Sequence, residues 1–188
     1  MNVWLIHPAE PVPISGNTRL FRYGKICRLL AKRGHVATQW ASTFDHFSKQ
    51  QRTHRDYIFE VETGYRVQLV YGSPYKKHVS FARMRSQREV AQNFTRCAEK
   101  SVPPDVIVVS LPTLELATTV LAYAEERRIP VVVDIRDLWP DVFLTAFPRW
   151  AQSLVRPLFR KYEQQAVDIC RRASSLTGVS NTYLSWGL

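Results

Sequence analysis

The order of strand-like and helix-like segments predicts a doubly wound α/β domain with a mostly parallel sheet. An apolar run at 3–6, an amphipathic segment and a second apolar run at 36–41 form one strand–helix–strand unit. The β-branched run at 106–109 is typical of a strand covered on both faces, and the run at 130–135 is expected to be the next core strand. The length of 188 residues fits one Rossmann-like domain spanning 1–188.

The first helix is expected to begin at Asn17 or Thr18, because both are common N-cap residues. Its end is expected near Gly34, since glycine is the usual residue just after a helix. Between these points the apolar residues recur every three or four positions, as on one helical face: Leu20, Tyr23, Cys27 and Leu30.

The remaining elements are predicted in the same way. Residues 42–56 have no apolar period and indicate an exposed loop. Further strands are expected at 57–61, 65–71 and 175–179, and helices at 80–100, 114–124 and 150–172, with a last helix from Asn181 or Thr182. Pro157 is expected to kink or restart the helix that contains it.

The net charge of +10, from 26 Lys and Arg against 16 Asp and Glu, suits an anionic partner. Nucleic acid, a phosphorylated ligand and a membrane surface are the three classes that fit. The cysteines lie far apart in sequence, which argues against zinc or disulfide pairs and favours a reducing cytoplasm. No segment resembles a signal peptide or a membrane span.

The commonest signatures of α/β enzymes are missing from the sequence. There is no GxGxxG, no GxxxxGK[ST], no GxSxG and no HExxH. The five histidines form no cluster with each other or with cysteines, so each is interpreted as an ordinary surface or core residue.

Candidate site residues follow three of the predicted strands, where ligands bind in open α/β sheets. Gly16 and Asn17 can bind phosphate at a helix N-terminus, or form an ordinary capping turn. Arg136 can pair with a carboxylate inside the protein or with a ligand phosphate, and Asp137 can orient a sugar hydroxyl. Ser110, with Pro112, follows the central strand.

The basic helices have three interpretations: a solvated face, a nucleic-acid surface, or contact with an anionic membrane. The segment 75–100 mixes aromatic and cationic side chains, which suits an interface. The residues expected to form a membrane or acceptor surface are Lys76, Lys77, Phe81, Arg83 and Arg85.

Four stretches together resemble the N-terminal domain of glycosyltransferase family 4. They are the loop at 15–19, the Arg-Gly-His-Val turn at 33–36, the stretch PVVVDIRDLWPD at 130–141 and the stretch SSLTGVS at 174–180. The most similar members are bacterial enzymes that add amino sugars to lipid-linked surface polysaccharide. The resemblance covers nearly the whole chain, in the right order, and implies the GT-B fold.

The resemblance implies a retaining transfer of a sugar from a nucleotide-sugar to an acceptor. The N-terminal domain holds the acceptor, while a C-terminal domain, absent from these 188 residues, holds the nucleotide. Carried onto this sequence, Gly16 and Asn17 approach the donor diphosphate. Arg136 and Asp137 face the cleft as the candidate catalytic residues. Ser110 and Pro112 line it. No metal and no cofactor beyond the nucleotide-sugar co-substrate are implied.

The sequence also departs from the family pattern. The family's two glutamates, eight positions apart, do not occur, and Ser110 stands where a histidine is common. The chain is therefore expected to be the acceptor-binding half of a larger enzyme and inactive alone, its end within a starting helix favouring a continuation beyond Leu188. It is expected at the cytoplasmic membrane face, acting on a polyprenyl-diphosphate acceptor. The alternatives are a non-catalytic subunit that recruits a donor-binding protein and, less favoured, a nucleic-acid-binding protein.

Overall fold

The computed structural model describes residues 1–14, 19–77, 80–138 and 148–188. The strands are β1 Asn2–Ile6, β2 Val36–Ser42, β3 Tyr57–Glu62, β4 Tyr65–Val70, β5 Val106–Leu111, β6 Val131–Ile135 and β7 Ser175–Gly178. The helices are α1 Arg22–Lys32, α2 Phe81–Glu99, α3 Leu114–Arg127, α4 Arg149–Arg172 and α5 Asn181–Gly187.

The described strands form one seven-stranded sheet in the order β3-β4-β2-β1-β5-β6-β7. Every neighbouring pair is parallel except β3 and β4, which form an antiparallel edge. The chain runs from β1 to one side of the sheet and returns to β5 on the other side, so the strand order reverses next to β1. The predicted α/β class with a mostly parallel sheet is confirmed.

Helices cover the two faces of the sheet unequally. On one face α2, α3 and α4 bury the larger core, which contains a cluster of Trp4, Trp40, Phe94 and Tyr123. On the other face α1 covers β1, β2 and β4 over a smaller core. In β5, Ile107 and Val109 are fully buried, whereas Val106 and Val108 are only half-buried. The prediction that this strand is covered on both faces is therefore wrong in part.

The start of α1 differs from the prediction. The helix begins at Arg22, and its N-cap residue, Phe21, makes no side-chain hydrogen bond to the first turn. Asn17 and Thr18 lie outside the described residues. The first turn is instead capped by Glu10, a residue of the preceding loop. A cap supplied from so far along the chain leaves no local sequence signal at the helix start.

The end of α1 agrees with the prediction. Gly34 has a φ of +80° directly after the helix, and its N–H donates to Ala31. A Cβ at this position would meet no atom within 4 Å, so a substitution would cost backbone energy without a steric clash.

Gly34→Ala is expected to lower the free energy of unfolding by about 1 kcal/mol, the cost of holding an alanine in the left-handed region. Urea denaturation measures it. Lys32→Ala, on the exposed last turn of the same helix, is the control and should stay within about 0.5 kcal/mol of the wild type. Equal effects of the two changes would contradict the left-handed conformation at Gly34.

Residues 42–56 are more ordered than the sequence indicates. Thr43 and Phe44 are buried, and Phe44 pairs with Gln51 in an isolated antiparallel bridge. Arg52 forms an ion pair of 2.8 Å with Asp45. The prediction of a wholly exposed loop is wrong, because aromatic and polar side chains fold the segment back onto the end of β2.

The C-terminal elements follow the prediction closely. Helix α4 is continuous through Pro157, so it does not restart there, and the alternative of a kink at Pro157 stays a prediction. β7 joins the sheet beside β6, and α5 begins at Asn181 and contacts both strands.

Candidate functional site

The candidate site lies at the carboxyl ends of β1, β5 and β6, next to the reversal of strand order. The parallel register aligns Ile6 with Val109 and Leu111 with Ile135. Polar residues that end these strands therefore share one edge of the sheet, as they do at ligand sites of open α/β sheets.

Glu10 joins the loop after β1 to helix α1. The residue is 2% exposed. Its Oε1 accepts hydrogen bonds from the backbone N–H of Tyr23, at 2.6 Å, and of Gly24, at 3.1 Å. A carboxylate at this point satisfies two unpaired N–H groups and lies at the positive end of the helix dipole. Its other oxygen, Oε2, accepts from Nη1 of Arg136 at 3.0 Å.

Arg136 is held on two sides. It forms the ion pair with Glu10, and its guanidinium lies 5.6 Å from the centre of the Tyr23 ring. About 24% of its side chain is still exposed. Of the two sequence-based alternatives, pairing with an internal carboxylate is found, and the partner is Glu10 in a loop 126 positions away. The pairing fixes a planar cation at the edge of the sheet.

Asp134 connects β6, β7 and α1 beneath this edge. The residue is 1% exposed. It accepts hydrogen bonds from the hydroxyl groups of Tyr23, at 3.0 Å, and Thr177, at 3.1 Å. Nη1 of Arg22 completes an ion pair at 3.3 Å. Burial, followed by the charge of Asp134, raises the pKa of Tyr23 well above its ordinary value, so its phenol stays protonated and donates.

His7 is the histidine that directly follows β1. Its Nδ1 lies 2.6 Å from Oγ of Ser110, and its ring meets that of Tyr23 edge to face. Burial, and secondarily the charges of Arg136 and His46, lower the pKa of His7 to about 3. The imidazole is therefore neutral near pH 7, with one nitrogen able to accept a hydrogen bond.

The position of His7 was missed by the sequence interpretation, which treated every histidine as an ordinary one. Its imidazole contacts Ser110, which lies near the end of the neighbouring strand β5. The signal available in the sequence was the position of His7 at the end of the first predicted strand.

The other predicted site residues are distributed around this cluster. Asp137 is exposed directly after Arg136. Pro112 is half-buried after β5, where its carbonyl accepts from Leu114 at the start of α3. Gly16 and Asn17 lie outside the described residues. Arg136 and Ser110 therefore belong to one cluster. It also contains Glu10, Tyr23, Asp134 and His7.

The predicted membrane or acceptor surface lies at the same edge of the sheet, because α2 begins just after the carboxyl end of β4. Ser80 caps the helix by accepting from the N–H of Arg83. Lys76, Lys77 and Phe81 are exposed, Phe81 to 90%. The remaining members are Arg83, which is half-buried, and Arg85, which is exposed and pairs with Glu89 at 2.9 Å.

Aromatic residues of two other loops extend this edge. Phe21 and Phe47 are both exposed and stack with ring centres 6.2 Å apart. His46 shares a hydrogen bond of 2.6 Å with the hydroxyl of Tyr75. The sequence interpretation did not single out Phe21 and Phe47, since their pairing depends on two loops that are remote in sequence.

The arrangement limits which groups are available for chemistry. Both buried carboxylates of the cluster, Glu10 and Asp134, are held by donors. Asp137 offers an exposed carboxylate, and His7 a neutral imidazole. Among the described residues, no three His, Cys, Asp or Glu side chains are grouped as metal ligands.

Neither a protein-family model nor a curated protein sequence matches this chain significantly. Within the described part of the chain, no helix combines the length and the apolar character needed to cross a membrane.

Proposed function

We propose that this chain is the acceptor-binding, Rossmann-like half of a retaining glycosyltransferase of family 4, with the GT-B fold. Its acceptor is a polyprenyl-diphosphate-linked sugar of surface polysaccharide synthesis. The co-substrate is a nucleotide-sugar, bound through a C-terminal domain outside these residues. The α/β sheet, its carboxyl-edge cluster and the four similar sequence stretches support the proposal.

One observation carries the proposal. A fixed guanidinium, Arg136, and an exposed surface of lysines and Phe81 occupy the same edge of the sheet. A lipid-linked diphosphate needs both features, since its anionic group requires cationic donors and its lipid requires an anchoring surface. The excess of positive charge over the whole chain agrees with such a substrate.

In the proposed reaction, Arg136 and Asp137 act at the mouth of the cleft. The pair with Glu10 sets the orientation of the Arg136 guanidinium before substrate arrives, so little reorganisation accompanies binding. Asp137 orients an acceptor hydroxyl. Gly16 and Asn17 approach the donor diphosphate, and Ser110 and Pro112 line the cleft. Leaving-group stabilisation depends mainly on the second domain, so the chain alone is inactive.

The proposal includes a peripheral location on the cytoplasmic face of the membrane. Each Lys or Arg near an anionic membrane surface contributes about 1 kcal/mol to binding at physiological salt, and an exposed aromatic residue adds apolar contact. Lys76, Lys77 and Phe81 provide both kinds of contact.

Vesicle binding tests the two parts of the proposal separately. Three vesicle types are compared: neutral phosphatidylcholine, phosphatidylcholine with phosphatidylglycerol, and phosphatidylcholine with a polyprenyl diphosphate at the same surface charge. Wild-type protein is expected to prefer the third. Lys76→Gln/Lys77→Gln should weaken binding to both anionic types roughly thirtyfold. Arg136→Lys, which keeps the charge but loses the planar fork, should remove only the preference for the diphosphate.

The control is Lys25→Gln/Lys32→Gln, which removes the same charge from the exposed face of α1. Equal loss of binding in the two double variants would show a general charge effect and contradict the membrane surface. Equal binding of wild-type protein to the two anionic vesicle types would contradict the acceptor. Thermal unfolding of each variant confirms that it is folded.

A further inference from the structure

A cleft of about 550 Å³ opens on the opposite edge of the sheet from the candidate site. Its floor consists of residues near the amino ends of β1, β2 and β4. Trp4, Thr38 and Arg66 form one register row across these strands, and Trp40 and Gln68 form the next. The size lies within the roughly 300–1,000 Å³ typical of small-molecule sites.

The cleft lies between α2 and the edge strand β3. The last turn of α2 forms one wall, with Arg96 and the capping residue Lys100, and strand β3 forms the opposite wall, with Ile58. Ile58, and Val102 at the rim, are exposed large hydrophobic side chains, whereas the Tyr57 ring stacks on Phe59 on the other face of the strand. The walls therefore offer apolar surface to a ligand.

The charges that line the cleft are mainly positive. Its cations are Arg66, Arg96 and Lys100, and Asp56 is the one carboxylate among the lining residues. Asp56 is ion-paired with Arg96. Neither Arg66 nor Lys100 lies within ion-pair distance of a carboxylate in the parts of the chain that the structure describes. Two cations, Arg66 on the floor and Lys100 on the α2 wall, thus remain for an anion.

The floor under these cations combines polar side chains with the rings of Trp4 and Trp40. Thr38 and Gln68 are both buried in the sheet. The indole Nε1 of Trp40, also on the floor, is buried and has no hydrogen-bond acceptor among the described residues. A buried indole N–H normally finds a partner, so the floor is unusual for a simple packing surface.

We propose that this cleft binds a small flat anion, with its negative group near Arg66 and Lys100 and its ring against Ile58. Positive charge on the floor and on one wall selects the anion, and the exposed apolar side chains select a flat body over a bare inorganic ion. The site is separate from the carboxyl-edge cluster and does not depend on the function proposed for that cluster.

The test uses 1-naphthoate as the flat anion, 1-naphthalenemethanol as its neutral counterpart and acetate as an anion without a ring. Binding is followed by two-dimensional ¹H–¹⁵N NMR of the whole chain, with the Trp40 indole signal assigned through Trp40→Phe. A ligand of this size is expected to bind with a Kd of about 1 mM or tighter. The Trp40 signal should shift, and the alcohol and acetate should each bind about tenfold more weakly.

Arg66→Gln/Lys100→Gln changes two exposed side chains and is expected to bind 1-naphthoate about tenfold more weakly. Lys25→Gln/Lys32→Gln, on α1 over the other face, should bind like the wild type. Equal affinity for the acid and the alcohol, or unchanged affinity in the first variant, would overturn the proposal. So would the absence of a Trp40 shift together with concentration-dependent dimer formation in sedimentation, which would mean that a second copy covers the cleft.

Discussion

Replacing Glu10 with Ala is expected to lower the free energy of unfolding by about 3 kcal/mol, a large effect for one loop residue. The change removes the carboxylate that pairs with Arg136 and caps the first turn of α1. Loss of a cap costs about 1 kcal/mol, and the rest comes from leaving Arg136 without its partner. Partial exposure of Arg136 keeps the cost below that of a fully buried pair.

Urea denaturation measures this effect, and a double-mutant cycle assigns it. Glu10→Gln keeps an oxygen for the N–H of Tyr23 but loses the charge, so it should cost roughly half as much. The coupling energy between Glu10→Gln and Arg136→Gln is expected to be about 2 kcal/mol. Glu115→Ala, in the first turn of α3, is the matched control and should cost under about 1 kcal/mol. Similar values for Glu10→Ala and Glu115→Ala would refute the bridging role.

Acidification is expected to destabilise the protein through His7. The pKa of a histidine in an unfolded chain is about 6.5, whereas that of His7 in the folded state is about 3. Below pH 6.5 the unfolded state therefore binds the proton more readily. The contribution of neutral His7 to the free energy of unfolding is fully present above about pH 6.5 and is lost as the pH drops towards 3. Between about pH 7.5 and pH 5 the contribution of His7 amounts to about 2 kcal/mol.

The measurement is the free energy of unfolding as a function of pH in wild type and His7→Asn. Asparagine keeps a polar atom near the position of Nδ1 for Ser110 but does not titrate. The variant should lose about 2 kcal/mol less than the wild type over this pH range. His54→Asn changes an exposed histidine and should leave the wild-type slope intact. Parallel curves for wild type and His7→Asn would show that His7 is not buried in its neutral form.

Local sequence patterns were sufficient to predict most of the elements and the edge at which the site lies. Apolar runs indicated the strands, and the rule that parallel strands align their carboxyl ends brought Arg136 and Ser110 to one place. The glycine signal at Gly34 was also local, since a positive φ follows directly from residue type.

The contacts that complete the site could not be predicted in this way. Glu10 and Arg136 are 126 positions apart, and Tyr23 and Asp134 are 111 apart. Their partners are set by the three-dimensional arrangement of loops, for which the spacing of residues carries no signal. The helix start was misplaced for the same reason, because its cap is a side chain from another loop.

The ion pair between Glu10 and Arg136 also orders events during folding. Glu10 can cap the first turn of α1 as soon as the segment from Glu10 to that turn has been made. The charge of Glu10 is balanced by Arg136 only after β6 has joined the sheet. During synthesis on a ribosome, this contact cannot form until more than a hundred residues have been added after Glu10. Such long-range contacts slow folding. We therefore expect the mutation Glu10→Ala mainly to accelerate unfolding rather than to slow folding.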